Sequence, residues 1–330
     1  MNKNEIFDNY ISELRKVQSL QQKPSGQLKE KMERSIETVL SLGVPTKKHE
    51  QWHYTNPAKE LQNFSYLNPP FHILSDNILK DFKIKNDDYR VVFINGKFDQ
   101  SLSLLPKGIE LTNLKTSNDK IIPNEIISLF DNKKDVFEAL NLAAVDDLLL
   151  LKIKENTHLQ KLTTILNINT SQADEFLANP RVIIWAEKNS NSSWLEIYGT
   201  HQDSNPKVFS NPATMIKIHD DANVEYVKAQ IESSKTLHIG KLKVELGKNS
   251  NLNSLILSLG AKVCRNNIEI NLNDENASAT VNGLFALPTD QHCDNFSIIN
   301  HLHPNTSSHQ LFKGILNGKS RGAFTGNIFI

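Results

Sequence analysis

From Ile153 onward one short phrase keeps returning: an apolar residue, four polar or small residues, one more residue, then a new apolar-alternating run. Its copies begin at Ile153, Ala186, Ile218, Leu246 and Leu272, spaced 33, 32, 28 and 26 residues apart. Four of the five carry Asn at or near the same place in the phrase, as in Leu246-Gly-Lys-Asn-Ser-Asn-Leu252. A period in this range marks a solenoid or a propeller. Each copy reads as strand, tight polar turn, strand, with no helical pattern between. That favours a parallel β-helix, whose coils stack so that each strand pairs with the coils above and below. Uneven spacing fits, because loops can bulge from a coil without disturbing stacked strands. A β-sandwich with similar Asn/Asp turns is the alternative that this pattern leaves open.

The part before the repeat has a different texture. Ile6, Phe7, Tyr10, Ile11, Leu14, Val17 and Leu20 make a helical stripe broken by Pro24 and Gly26. A second helix, with Leu28, Met32, Ile36, Val39 and Leu40 on one face, is predicted to stop at Gly43 before Pro45. His49-Glu-Gln-Trp-His-Tyr-Thr55 shows neither period; its Trp and Tyr are expected to pin a loop onto the domain. Val91-Val-Phe-Ile94 followed by Asn95-Gly96 predicts a hairpin. Pro123 precedes a further helix through Phe130, Val136, Phe137, Leu140 and Ala144. The expected division is a helical N-terminal domain with a small β-hairpin over residues 1–147 and a β-helix core over 148–330.

Charge narrows the function classes. Lys+Arg and Asp+Glu are equal at 37 each, so no net field draws the chain to nucleic acid or an anionic membrane. The longest apolar run, Leu148–Leu151, is far too short to span a bilayer, and no apolar signal stretch is seen. The expectation is a soluble, cytoplasmic protein. Cys264 and Cys293, without C-x-x-C, supply neither a disulfide framework nor a zinc ribbon.

Chemical motifs are sparse. Gly314-Ile-Leu-Asn-Gly318-Lys319-Ser320 resembles a P-loop, but its glycines are wrongly spaced and no helix is expected after it. No G-x-S-x-G elbow occurs. The densest ionisable cluster comprises His292, Cys293, Asp294, His301, His303 and His309. His301 and His303, two apart on a strand, would share a face and a metal, although the spacing matches no standard closed zinc site. The competing reading makes these side chains hydrogen-bonding groups of β-helix turns. Two thiols fall short of the four ligands an iron–sulfur cluster usually takes.

Several stretches together resemble the SufB/SufD family, scaffold components of SUF iron–sulfur cluster assembly. They are Gln291-His292-x-Asp294, His301, Thr306-Ser-Ser308, Gln310-Leu311-x-Lys313-Gly314-Ile315, Gly318-Lys-Ser-Arg321, Phe324 and Gly326. Leu259–Ile268, Ala277–Leu284, Glu50–Thr55 and Phe137–Asn141 resemble the SufD branch more than SufB. Ser297 and His309 depart from the Thr and Arg usual in the family.

The resemblance implies a mainly β fold with a helical N-terminal domain, a right-handed parallel β-helix core and a C-terminal helical domain. It implies a non-enzymatic subunit that works with a SufB-like subunit and a SufC-like ATPase. No cofactor is expected on this chain alone, the iron–sulfur cluster being handled by the complex with SufB. The family's Cys/His segment and its SufC-contacting helices are expected beyond Ile330, and apolar Asn327–Ile330 is expected to seek an edge partner. His292, Asp294, His301, Lys313 and Arg321 are the family-motif residues, expected to be structural, with His292, Asp294 and His301 bonding across adjacent coils. The alternative from another class is a polysaccharide-active parallel β-helix enzyme. It would need an open groove with aromatic platforms, for which Trp185, Trp194 and Tyr198 are the available rings.

Overall fold

The computed structural model describes residues 8, 11, 12, 14, 15, 26–62, 64, 78–85, 87–116, 123–130, 134–170, 175–202 and 205–330. In chain order the helical part contributes α1 (Gly26–Leu42), a 3-10 turn at Glu50–Trp52, α2 (Pro57–Leu61) and α3 (Ile78–Asp81). Strands β1 (Arg90–Ile94), β2 (Lys97–Leu104) and β3 (Ile109–Asn113) follow, then α4 (Asn124–Ser128) and α5 (Val136–Ala144). The strand-rich part holds β4 (Leu148–Ile153), β5 (Thr163–Asn169), β6 (Glu175–Ala178), β7 (Arg181–Ala186), β8 (Asn191–Thr200) and β9 (Lys207–Ser210). It continues through β10 (Ala213–Ile218), β11 (Asn223–Ile231), β12 (Leu237–Leu246), β13 (Asn251–Ser258) and β14 (Val263–Leu272). The last strands are β15 (Ser278–Leu287), β16 (His292–His301), β17 (Ser307–Leu316) and β18 (Arg321–Phe329).

These strands build a parallel β-helix. One sheet runs β17-β15-β13-β11-β8-β5-β1-β2 and the other β18-β16-β14-β12-β10-β7-β4-β3. Consecutive coils pair in parallel without slippage, for example Val244↔Ile270 and Ile270↔Ile299. The β-sandwich alternative is thereby removed. Strands β1 and β3 join the two sheets through a parallel pairing with β5 and an antiparallel pairing with β4.

The recurring phrase is the corner between the sheets. Its five apolar leaders Ile153, Ala186, Ile218, Leu246 and Leu272 each end a strand and are fully buried. Asn156, Asn189, Asp221, Asn249, Asn276 and Asn305 take left-handed backbone, φ between 53° and 60°. That conformation costs most residues about 1–2 kcal/mol and is least costly for Gly, Asn and Asp. The side chains also stack: Asn189 Nδ2 donates to Asn156 Oδ1 (2.7 Å), Asn249 Nδ2 to Asp221 Oδ1 (3.0 Å) and Asn276 Nδ2 to Asn249 Oδ1 (3.0 Å).

Between the sheets the core divides. Near the Asn corner it is aliphatic, with Ile184, Ile216, Val244, Ile270 and Ile299 stacked coil on coil. Towards the opposite corner the inward positions turn polar.

Outside the second sheet the N-terminal elements cover residues that would otherwise face water. Leu28 and Met32 of α1 and Leu142 of α5 pack with Ile183, Trp185 and Met215. Asn141 Nδ2 reaches the carbonyls of Pro180 (3.2 Å) and Asn211 (2.6 Å), and buried Arg181 donates to Asn141 Oδ1 at 2.8 Å. Burial lowers Arg181 to about 10.

The expected first helix lies largely outside the described residues. Its described members Ile11 and Leu14 are buried against Ile36 and Val39. The second is α1, closed by Gly43 at φ 64°, whose N–H donates to Val39 O at 3.0 Å. The helix expected after Pro123 is two helices, because Asp135 caps a fresh start by accepting from Phe137 N and Glu138 N. Of the pinning pair, Trp52 is buried whereas Tyr54 is exposed.

Candidate functional site

The motif residues lie on both sides of β16. Side chains alternate, so His292, Asp294 and Phe296 face the N-terminal segment while Cys293 and Asn295 face the space between the sheets.

On the outer side, Asp294 is fully buried and accepts from Arg265 Nη1 of the neighbouring coil. It also accepts from Thr55 Oγ1 at 2.6 Å. His292 Nε2 donates to the same Thr55 hydroxyl at 2.9 Å, so a chain of bonds runs from imidazole through hydroxyl to carboxylate. Arg265 is held from every direction. Its Nη2 donates to Gln51 O (2.7 Å) and its Nε to Asn267 Oδ1 (2.8 Å). Its guanidinium lies 4.7 Å from the Trp52 ring centroid and 4.8 Å from that of Phe296. Burial lowers the Arg265 pKa against the pull of Asp294, and burial likewise lowers His292. This knot fastens the His49–Thr55 segment to two successive coils.

Asp294 bonds to the neighbouring coil, while His292 turns to Thr55. His301 occupies the register of Leu272 but stays within its own turn, reaching Thr306 Oγ1 (2.7 Å) and Ser308 Oγ (2.9 Å). His303 is half-buried and contacts Pro304 O, and the two histidines are not brought together. Lys313 and Arg321 are exposed. Among the described residues no group of three or more His, Cys, Asp and Glu side chains is arranged to hold a metal. The P-loop-like run forms a turn between β17 and β18, and a strand follows it where a phosphate-binding loop needs a helix.

On the inner side lies a seam that the sequence motifs did not announce. Glu196 accepts from Tyr198 (2.7 Å), from Thr214 (2.8 and 3.0 Å) and from Tyr226. Next along, Lys228 Nζ donates to His238 Nε2 and Asn266 Oδ1, both at 2.9 Å, and sits 5.1 Å from the Tyr198 ring centroid. Because Nε2 accepts there, His238 carries its proton on Nδ1 and donates to Glu232 at 2.7 Å. Glu232 is also held by Asn169 (2.9 Å) and Gln230 (3.0 Å). Burial lowers both Lys228 and His238. Burial pushes Glu232 up, but the His238 charge and the bonds to it outweigh that and leave it lowered.

The seam ends at two thiols. Cys264 and Cys293 are register neighbours on β14 and β16, both fully buried. Asn266 Nδ2 donates to Cys264 Sγ at 3.6 Å and Asn295 Nδ2 to Cys293 Sγ at 3.4 Å. The bond between the thiols lowers Cys264 and raises Cys293, so the two ionise as a pair. Chemically this is one shielded thiolate-capable sulfur beside a buried ammonium. The signal for the seam was the polar series Lys228 and Gln230 on alternate inward positions of β11, where Val224 and Tyr226 begin an apolar row.

The aromatic platform required by the polysaccharide reading is not formed, since Trp185, Trp194 and Tyr198 are all buried. Among the described residues no helix is long and apolar enough to cross a membrane.

Comparison with known proteins agrees with the resemblance. Residues 168–330 match the family described as SUF system FeS cluster assembly, SufBD core domain. An iron–sulfur cluster assembly SufBD family protein of Synechocystis is 26% identical over 303 residues, covering 88% of this chain and 66% of that protein. The iron–sulfur cluster assembly protein SufD of Escherichia coli is 23% identical over 295 residues, covering 89% and 67%. The chloroplastic protein ABCI7 of Arabidopsis thaliana is 23% identical over 306 residues, covering 89% and 63%. The chain thus spans about two thirds of the length of the curated relatives it matches. Residues 168–330 thus form a SufBD core domain of the SUF iron–sulfur cluster assembly system, in a chain that is similar to SufD-like proteins along most of its length.

Proposed function

We propose that the chain acts as a non-enzymatic scaffold subunit, cytoplasmic, in a complex with a SufB-like subunit and a SufC-like ATPase. The observation that carries this is the SufBD core match over the coils that hold the seam and the knot. The helices α1 and α5 brace the outer face of the second sheet, and residues 148–330 form the scaffold core. The arrangement supports the reading, because buried charges such as Lys228 and Glu232 are bonded to fixed partners. A rigid polar interior suits a part that positions others. Two buried thiols fall short of the four thiolates a cluster usually takes, so the cluster is handled together with the SufB-like partner.

Co-expression with the SufB-like and SufC-like proteins of the same genome tests this, with a tag on this chain. Elution of all three together is the expected result. Elution of the tagged chain without the other two would refute the reading. ATP hydrolysis by the purified chain, lost in Lys319→Ala, would refute its non-enzymatic part.

A further inference from the structure

A second site lies at the corner opposite the Asn ladder, where the N-terminal segment meets the turns before β16 and β18. A groove of about 570 Å³ opens there. Lys47, Lys59, Lys262, Lys319 and Arg321 line it, against Glu60 and Asp290 alone. In a chain whose charges balance at 37 each, five cations facing two carboxylates is a local excess. Lys262 is paired with Glu60 at 3.1 Å. Among the described residues Lys47, Lys59, Lys319 and Arg321 make no salt bridge, although like charges held together repel and normally recruit partners. Two of them, Arg321 and Lys47, are close enough for their charges to reach His292 in the floor.

The lining below the cations has the opposite character. Gln291 is 8% exposed, and its Nε2 donates to Ala261 O at 2.7 Å, which fixes the orientation of the amide. Gln291 lines the groove, and its Oε1 is buried and without a partner; Asn56, another lining residue, carries an Oδ1 in the same condition. A buried acceptor left unmet costs free energy, so each calls for a donor. A bare polyanion would satisfy the cations and leave these oxygens facing negative charge. A ligand carrying phosphates together with hydroxyl or amino groups satisfies both. Tyr54, 56% exposed, adds a flat aromatic face at the rim.

We propose that this groove binds a nucleotide, its phosphates held by Lys47, Lys319 and Arg321 and its hydroxyl or amino donors met by Gln291 Oε1 and Asn56 Oδ1. The site differs from a P-loop: Lys319 contributes from a strand-to-strand turn, and no hydrolysis is implied. It stands independently of the scaffold reading.

Calorimetric titration of the whole chain with ADP, and separately with pyrophosphate, tests it. ADP should bind more tightly than pyrophosphate, because only ADP meets the floor acceptors. Lys319→Ala/Arg321→Ala should weaken ADP by about tenfold or more, with an unchanged melting temperature because both side chains are exposed. Gln291→Leu should weaken ADP and leave pyrophosphate unchanged. No binding of ADP overturns the proposal, as does ADP affinity that survives the double substitution. Pyrophosphate binding as tightly as ADP also overturns it, marking a nonspecific anion patch.

Discussion

At residue scale, the knot around Arg265 sets two opposed effects against each other. A guanidinium moved out of water between Trp52 and Phe296 is costly, and the Asp294 carboxylate offsets that cost. Removing one partner leaves a buried unpaired charge, which costs about 3–5 kcal/mol, whereas replacing both can be near neutral. Asp294→Ala should therefore lower stability by about 3–5 kcal/mol, read from the denaturant midpoint. Adding Arg265→Met to Asp294→Ala should recover part of the loss. If the double variant is less stable than Asp294→Ala by the full cost of Arg265→Met, the two side chains are not coupled and the knot is misread.

At the scale of the element, the corners decide which strands form. Asn249 sits at φ 53° and bonds both Asp221 and Asn276, so it serves backbone and ladder together. Asn249→Ala should cost about 1–2 kcal/mol for left-handed backbone, plus about 1 kcal/mol for each of the two ladder bonds lost. Asn249→Gly, which removes only the rung, should cost less; equal losses would mean that the backbone conformation contributes nothing. These corners were legible because the phrase is short and local, and β12 ends at Leu246, the leader of one copy. The strands β16 and β17 were not legible as strands, whereas the apolar end of β18 was. In β16 the run Cys293-Asp-Asn-Phe-Ser297 is buried on both faces, so polar residues stand inside and period two vanishes. The fold class was readable from the corners, whereas the site needed contacts across 237 and 239 residues, such as Thr55 to His292 and to Asp294. No local pattern encodes a pairing that distant.

At the scale of the whole molecule, the buried histidines set how stability depends on acidity. His219, His238 and His292 are all lowered from 6.5, in each case chiefly by burial. A group whose folded pKa is lowered binds its proton more readily when unfolded, so stability is lost as pH falls below 6.5. Glu232 and Glu269, held below 4.5 by His238 and Lys241 in spite of burial, extend the loss at still lower pH. The denaturant midpoint should thus fall between about pH 7.5 and about pH 5, and His238→Gln should flatten that slope. A midpoint that rises on acidification would show that protonated forms are stabilised by contacts other than these.

The ladder of Asn and Asp at one corner works as a straightedge. Successive left-handed residues fall 33, 32, 28, 27 and 29 positions apart, yet side chains meet across the steps of 33, 28 and 27. Differences in coil length must therefore be taken up elsewhere, and β6 and β9 show where: both occur in the two longest coils, at the corner away from the ladder. One edge is gauged and the other is slack. Insertions should be tolerated by geography rather than by exposure. A short Gly/Ser segment placed after Ser234 should leave the melting temperature within a few degrees, while the same segment after Asn249 should abolish cooperative melting, although both lie in exposed turns. Equal tolerance at the two positions would mean that the straightedge is only a by-product of stacking.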